Sequence, residues 1–207
     1  MRITLRSMTI AAFLLSIISP SVVSAQESQT NYNAPGKFLI NEPVIQNIRD
    51  FTDTEIVRLA IQSQNALLGD ISESEILKLD QAWRGETKSD DQPLISAKLS
   101  SPLSSYLTRV QAHSIGLYTE IFVMDKNGLN VGQSNISSDY WQGDEAKFQK
   151  TYQVGPNTVF IDEPEYKDDL GLWVAQVNMS IADEDGKKIG AITTEINLNE
   201  LARRKAL

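Results

Sequence analysis

The residues best suited to chemistry lie together in Asp139-Tyr140-Trp141-Gln142-Gly143-Asp144-Glu145, where two adjacent aromatics are flanked by acids and followed by glycine. Such a pair is costly to leave in water and poorly suited to a strand, so it must pack against something. Two readings fit it: a loop that plugs a sheet, or one wall of a small-molecule pocket, where aromatic surface meets a few directed polar groups. Other pairings carry less chemistry. His113 beside Ser114 has no Gly-x-Ser-x-Gly elbow around it and reads as a helix end, where an imidazole meets the last carbonyls. The acid pairs Asp162-Glu163 and Asp168-Asp169 read as solvated surface. A calcium loop built around Gly128 or Gly186 would place Val123 and Ser134, or Ile181 and Ile192, at ligand positions, so both glycines read as hairpin turns. The acceptor patterns at Asn135 and Asn178 are short enough to arise by chance, and the second falls inside an expected strand.

Composition narrows the chemistry further. The chain of 207 residues has no Cys and one His, which excludes thiolate zinc sites, iron–sulfur clusters, thiol nucleophiles and two-His metal centres. No cofactor is implied. With 27 acidic against 19 basic residues the net charge is −8, a surface that repels phosphate backbones, so nucleic acid is not an expected partner. Hydrophobic residues at 41% and charged residues at 22% describe one ordinary globular domain.

The elements that position these residues follow from periodicity. Arg2 and Arg6, the apolar run Met8–Ile18 and the small-residue end Val23-Ser24-Ala25 make residues 1–25 a signal peptide cut after Ala25. The run is shorter than a bilayer span requires, so the mature protein is expected to be periplasmic and not membrane-spanning. Residues 26–40 read as a flexible leader, 41–200 as a single domain and 201–207 as a short basic tail. Pro43 opens a helical stripe running from Val44 to Leu67, with an interruption near Thr52–Thr54. Ser72 and Glu75 form a capping box for a shorter helix carrying Trp83, and Gln92–Gln111 is helical with a kink or restart at Pro102. After Gly116 the period changes to that of strands at 117–125, 129–134, 158–162, 171–182 and 189–197. In the fourth, Trp173, Ala175, Val177, Met179 and Ile181 share a core face, while Val174, Gln176, Asn178 and Ser180 share a semi-polar one. The fold class is therefore α+β, N-terminal helices followed by a five-stranded antiparallel sheet.

The blocks Tyr118–Ser134, Ser138–Glu145 and Ile189–Asn197, with Gln81-Ala-Trp83-Arg84 and Pro102-Leu-Ser-Ser-Tyr106-Leu in the helices, resemble the extracytoplasmic Cache sensor domains, also called PDC or PAS-like sensors. The resemblance covers about residues 41–200 and is most specific in the two central blocks. It implies a long N-terminal helix on one face of the sheet and a ligand cavity on the other, under the loop between strands. In chemoreceptors and sensor kinases such domains precede a membrane helix and an output module, which this sequence does not show after Asn197. The expectation is a stand-alone module, without catalysis of its own, whose ligand state is read by a membrane sensor kinase or chemoreceptor.

On that footing the expected site comprises Trp141 as a stacking face, Tyr140 and Tyr152 as hydroxyl donors, Lys147 to meet a carboxylate, Asp144 to meet an amine, and Gln176 and Asn178 on the cavity floor. The ligand would be small and polar or zwitterionic. Two other function classes stay open: a hydrolase working through Asp139, Asp144 or Asp162, and a structural envelope protein with no ligand. N-terminal sequencing of the exported protein should read from Gln26. Recovery of membrane-bound material with Met1 intact would identify an anchor instead.

Overall fold

A computed structural model describes residues 35–206, so the expected cleavage site and most of the leader lie outside the described residues. Five of the seven α-helices among the described residues start at a side-chain cap or with proline in the first turn. Helix α1 (Glu42–Thr52) has proline in its first turn and closes as Thr52 Oγ1 donates to the Ile48 carbonyl at 2.7 Å. Asp53 and Thr54 separate it from α2 (Glu55–Leu68), which stops at Gly69 with φ +61°, a conformation that favours glycine. Helix α3 (Glu73–Glu86) has the expected capping box, with the Ser72 side chain accepting from the Glu75 amide and the Glu75 carboxylate accepting from the Ser72 amide. Pro102 does not kink a helix but begins one. Helix α4 (Pro93–Leu99) ends before it, and α5 (Pro102–His113) restarts under a Ser101 cap.

The sheet contains β1 (Tyr118–Met124), β2 (Asn130–Gln133), β3 (Val159–Ile161), β4 (Glu165–Lys167), β5 (Leu172–Ala182) and β6 (Lys188–Asn197), with the short helix α6 (Ala146–Gln149) between β2 and β3. The order is β2-β1-β6-β5-β3, with β4 also pairing β5, and every pairing is antiparallel. Six strands therefore replace the expected five. The additional strand β4 is three residues, Glu-Tyr-Lys, too short and too charged to show a strand period, and Tyr166 stands against the Trp173 ring at 5.4 Å. Strands β3 and β4 divide one edge, pairing with the two halves of the long β5.

One face of the sheet is covered by helices. Ile121 and Val123 of β1, Ala175, Val177, Met179 and Ile181 of β5, and Ile192 and Ile196 of β6 pack with Ile48, Val57, Ile61, Leu103 and Leu107 in the main core. The face of β5 expected to be core is core. Two boundaries differ from expectation. A 3₁₀ turn (Lys37–Leu39) leads into Ile40, which is buried in that core, so folded chain begins before residue 41. Beyond Asn197 the chain does not trail off: Asn197 caps helix α7 (Leu198–Lys205), whose Leu198 and Leu201 sit in the core at i,i+3 spacing, and Lys205 Nζ donates to the Leu39 carbonyl.

The opposite face is divided. Phe122, Met124 and Ala191 are covered by Phe148 of α6 with Tyr152 packed beside it, while the row below them on β1, β6 and β5 is left open. The tightest crossing in the sheet lies at Gly190, where a Cβ would fall 2.2 Å from the Met124 carbonyl oxygen and 3.1 Å from Ile61 Cγ2. Gly190→Ala must push β6 away from both β1 and α2. It should lower stability by about 2–3 kcal/mol in urea unfolding; a variant as stable as wild type would show slack at this crossing.

Candidate functional site

The open part of the second face is a cleft of about 440 Å³, within the range of small-molecule pockets. Its floor is one cross-strand row. Glu120 of β1 is in register with Glu195 of β6, which is in register with Gln176 of β5, so three polar side chains stand side by side on adjacent strands. The edge is formed by Asp162, Glu163, Glu165 and Lys167 from the β3–β4 segment, and the other side by Lys147 and Glu145 at α6. Ser137, Ser138, Asp139 and Gln142 close it from the loop after β2.

That loop is held from the helical layer. Asp80 of α3, buried at 6% exposure, accepts the backbone amides of Tyr140 at 2.9 Å and Trp141 at 3.1 Å through Oδ1, and Arg84 Nε at 2.6 Å through Oδ2. Arg84 also reaches Asp139 at 3.2 Å, and Trp83 Nε1 donates to the Ser137 carbonyl at 2.9 Å. Asn130 Nδ2 donates to Ser137 Oγ, Gln133 Oε1 and the Asp139 carbonyl from below. The result is a loop whose backbone faces α3 and whose polar side chains Ser138, Asp139 and Gln142 line the cleft.

Charge dominates the cleft. Seven carboxylates line it against two lysines, and each lysine is already engaged: Lys147 Nζ lies 3.0 Å from Glu145 and 3.1 Å from Gln142 Oε1, and Lys167 Nζ lies 3.1 Å from Glu165 and 4.0 Å from Glu195 Oε2. Glu195 is 5% exposed; its Oε1 accepts from Thr119 Oγ1 at 2.7 Å, and its Oε2 makes no hydrogen bond among the described residues. Burial, and then the neighbouring Glu195 charge, push the Glu120 carboxyl up to about 7.

Of the seven residues expected at the site, Lys147 and Gln176 line the cleft. Tyr140 points the other way. It is buried against Trp83, with ring centroids 5.3 Å apart and planes 16° from parallel, in a second apolar cluster with Ile76, Ile95 and Leu129. Trp141 packs at the margin of that cluster and donates Nε1 to the Asn127 carbonyl at 3.0 Å, because its pairing with Leu129 turns it from the cleft. The aromatic pair therefore packs in the space under α3 and not onto the open face of the sheet. Asn178 is on the cleft side of β5 but one row too far along, buried and bonded to the Phe160 carbonyl and Thr193 Oγ1. Tyr152 stacks on Phe148 at 4.9 Å, and Asp144 lies outside the lining. Sequence reasoning misses Glu120 and Glu195, although each is visible as a lone acid inside an apolar strand.

No family model matches the sequence, and no curated protein matches it significantly. Extracellular sensor domains are among the solved structures that match. The extracellular domain of a histidine kinase is 18% identical over 65% of this chain and 61% of its own, with a TM-score of 0.42. The ligand-binding domain of the Campylobacter jejuni chemoreceptor Tlp3, solved with 4-methylisoleucine, is 15% identical over 73% and 64%, with a TM-score of 0.38. The sensor domain of Escherichia coli DcuS is 18% identical over 65% and 94%, also at 0.38. The chain thus spans less than two thirds of the length of the first two.

The raised Glu120 carboxyl has a thermodynamic signature. Because the folded state holds this proton more tightly than the unfolded chain, whose glutamate has its ordinary value of 4.5, stability should fall as pH rises from about 4.5 to about 7 and level off above. Burial is the largest cause; of the charges facing the group, Glu195 on β6 and Asp139 on the loop add to the rise, and Lys147 on α6 and Lys167 on β4 oppose it. Glu120→Gln should flatten that slope and be more stable than wild type at pH 8 by on the order of 2 kcal/mol. Parallel pH profiles of the two proteins would refute the assignment.

Proposed function

We propose that the chain is an exported, non-catalytic ligand-binding module that senses a small polar molecule in this cleft and reports its state to a membrane partner. The observation that carries the reading is the cleft on the uncovered sheet face, floored by Glu120, Glu195 and Gln176 and walled by a loop fixed to α3. A binding site that touches both the sheet and a loop tied to the helical layer is one where occupancy can favour one arrangement over another, and only such differential affinity transmits a signal. The residues proposed to meet ligand are Gln176, Glu120, Glu195, Asp139 and Asp162, with Lys147 closing one side. Tyr140, Trp141, Tyr152 and Asn178 support the wall and floor from behind. The ligand carries at least one ammonium group, since carboxylates outnumber and already occupy the lysines.

The paired carboxylates of Glu120 and Glu195 are the one feature in common with a hydrolase. They stand side by side on neighbouring strands, however, whereas an acid and a base or nucleophile flank the scissile bond. Binding is the simpler use of the pair.

A thermal-shift screen of small metabolites tests the reading. A specific ligand at about 100 times its dissociation constant should add roughly 2.7 kcal/mol of stability. Gln176→Ala should diminish the shift without loss of folding. A panel of amines, amino acids, carboxylates and sugars that leaves the melting temperature unmoved would turn the choice to a structural protein.

A further inference from the structure

We infer that the cleft selects a small aliphatic diammonium ion: one ammonium seated between Glu195 and Glu120 on the floor, and a second held at the rim by Asp162, beside the Glu165–Lys167 pair. This deepens the ligand-binding reading and rests on it.

The floor of the cleft brings like charges together. Two glutamates in register on adjacent strands repel one another, and both are withdrawn from bulk water, Glu195 buried and Glu120 partly so. Nothing among the described residues relieves this fully. Glu120 has no hydrogen-bond or ion-pair partner among them, and Glu195 Oε2 meets only Lys167 Nζ at 4.0 Å, beyond hydrogen-bond reach. A carboxylate oxygen without a donor, on a largely buried side chain that lines a cavity, is complementary to a donor that carries positive charge.

A metal ion is not the fitting occupant, since no three carboxylate or imidazole groups converge as a metal site among the described residues. A carboxylate on the ligand is disfavoured because both lysines are already paired with glutamates of the cleft. What remains is a cation with hydrogen-bond donors and no anionic group.

The second charge follows from the rim. Asp162 lies opposite Gln176, its amide donating to the Gln176 carbonyl at 2.9 Å, and Glu165 is in register with Val174. Those two pairings put the rim carboxylates on the strand positions beyond β5, two strand spacings or about 10 Å from the Glu195 row. Allowing hydrogen-bond reach at each end, that span suits two ammonium groups joined by roughly three to five carbons. The stem would lie over Gln176 and Val174, both of which line the cleft.

Isothermal titration calorimetry of the exported chain with 1,4-diaminobutane is the test, with butylamine, 4-aminobutanoate, succinate and magnesium chloride as comparison titrants. The diamine should bind at least tenfold more tightly than butylamine or 4-aminobutanoate, and added salt should weaken it. Glu195→Gln should reduce its affinity at least tenfold and return the difference between diamine and monoamine toward unity. Asp162→Asn, at the rim and remote from the core, gives the same reading if the floor variant fails to fold. Equal binding of diamine and magnesium, or diamine affinity unchanged in both variants, would overturn the inference. So would tighter binding of 4-aminobutanoate or succinate, but with the ligand-binding reading left standing. If none of these titrants binds while the metabolite screen finds another ligand, the diammonium assignment alone falls; if neither experiment finds a ligand, both readings fall.

Discussion

The carboxylate of Asp80 is the constraint on which the shape of the cleft depends. It takes two consecutive backbone amides, those of Tyr140 and Trp141, and is itself held by Arg84 one helical turn away. Hydrogen bonds to a charged acceptor contribute about 1.5–3 kcal/mol each, more than neutral ones, and here the carboxylate supplies the acceptor that the two amides would otherwise lack. With the backbone of 140–141 fixed to α3, the side chains on either side of it have no freedom to exchange places: the aromatics go under the helix, and Asp139 and Gln142 go to the cleft. The wall of the site is thus an extension of the helical layer, although it is reached in sequence from the sheet.

The two faces of the sheet answer to opposite demands. On the helical side, β-branched and aliphatic residues from four strands bury against α1, α2 and α5, and this burial is the main source of stability in a chain with no disulfide to add. On the other side, α6 covers only one end with Phe148, leaving the row of Glu120, Glu195 and Gln176 without an apolar cover. A protein selected only for stability would not keep two acids in register there. The cost is eased because burial, and then the Glu195 charge, raise the Glu120 carboxyl to about 7, so near neutrality the second charge is carried only part of the time.

Much of this is legible in the sequence. Helices and long strands carry their own period, so the break at Asp53–Thr54, the Ser72 capping box and the core face of β5 follow from local pattern alone. The segment around Tyr140 and Trp141 stands out for the right reason, the cost of exposing it, but periodicity does not say toward which layer a loop turns. That direction is set by Asp80, some sixty residues earlier, and no local signal in the loop reports it. Lys147 and Gln176 line the cleft, as expected of their sides of a helix turn and a strand face. Asn178, on the same face as Gln176, is misplaced by one row because only the register with β6 and β3 shows where the cover of α6 begins. The short β4 has no period to detect, and α7 is hidden by its basic composition even though Asn197, Leu198 and Leu201 are in place to start it.

The divided edge of the sheet has a consequence for colloidal behaviour. An uninterrupted strand as long as β5 at the margin would offer a row of free amides and carbonyls to a second chain, the geometry from which aggregates grow. Here that margin is split into two strands of three residues, and the chain between them holds Asp162, Glu163 and Pro164, with Glu165 opening the second. Proline offers no amide, and carboxylates on two approaching copies repel. At the far margin, β2 is only four residues long and the Tyr140 and Gln142 backbone already bonds to Asn130 and Gly128 beside it. The acids that line the cleft thereby also keep neighbouring copies from zipping together edge to edge.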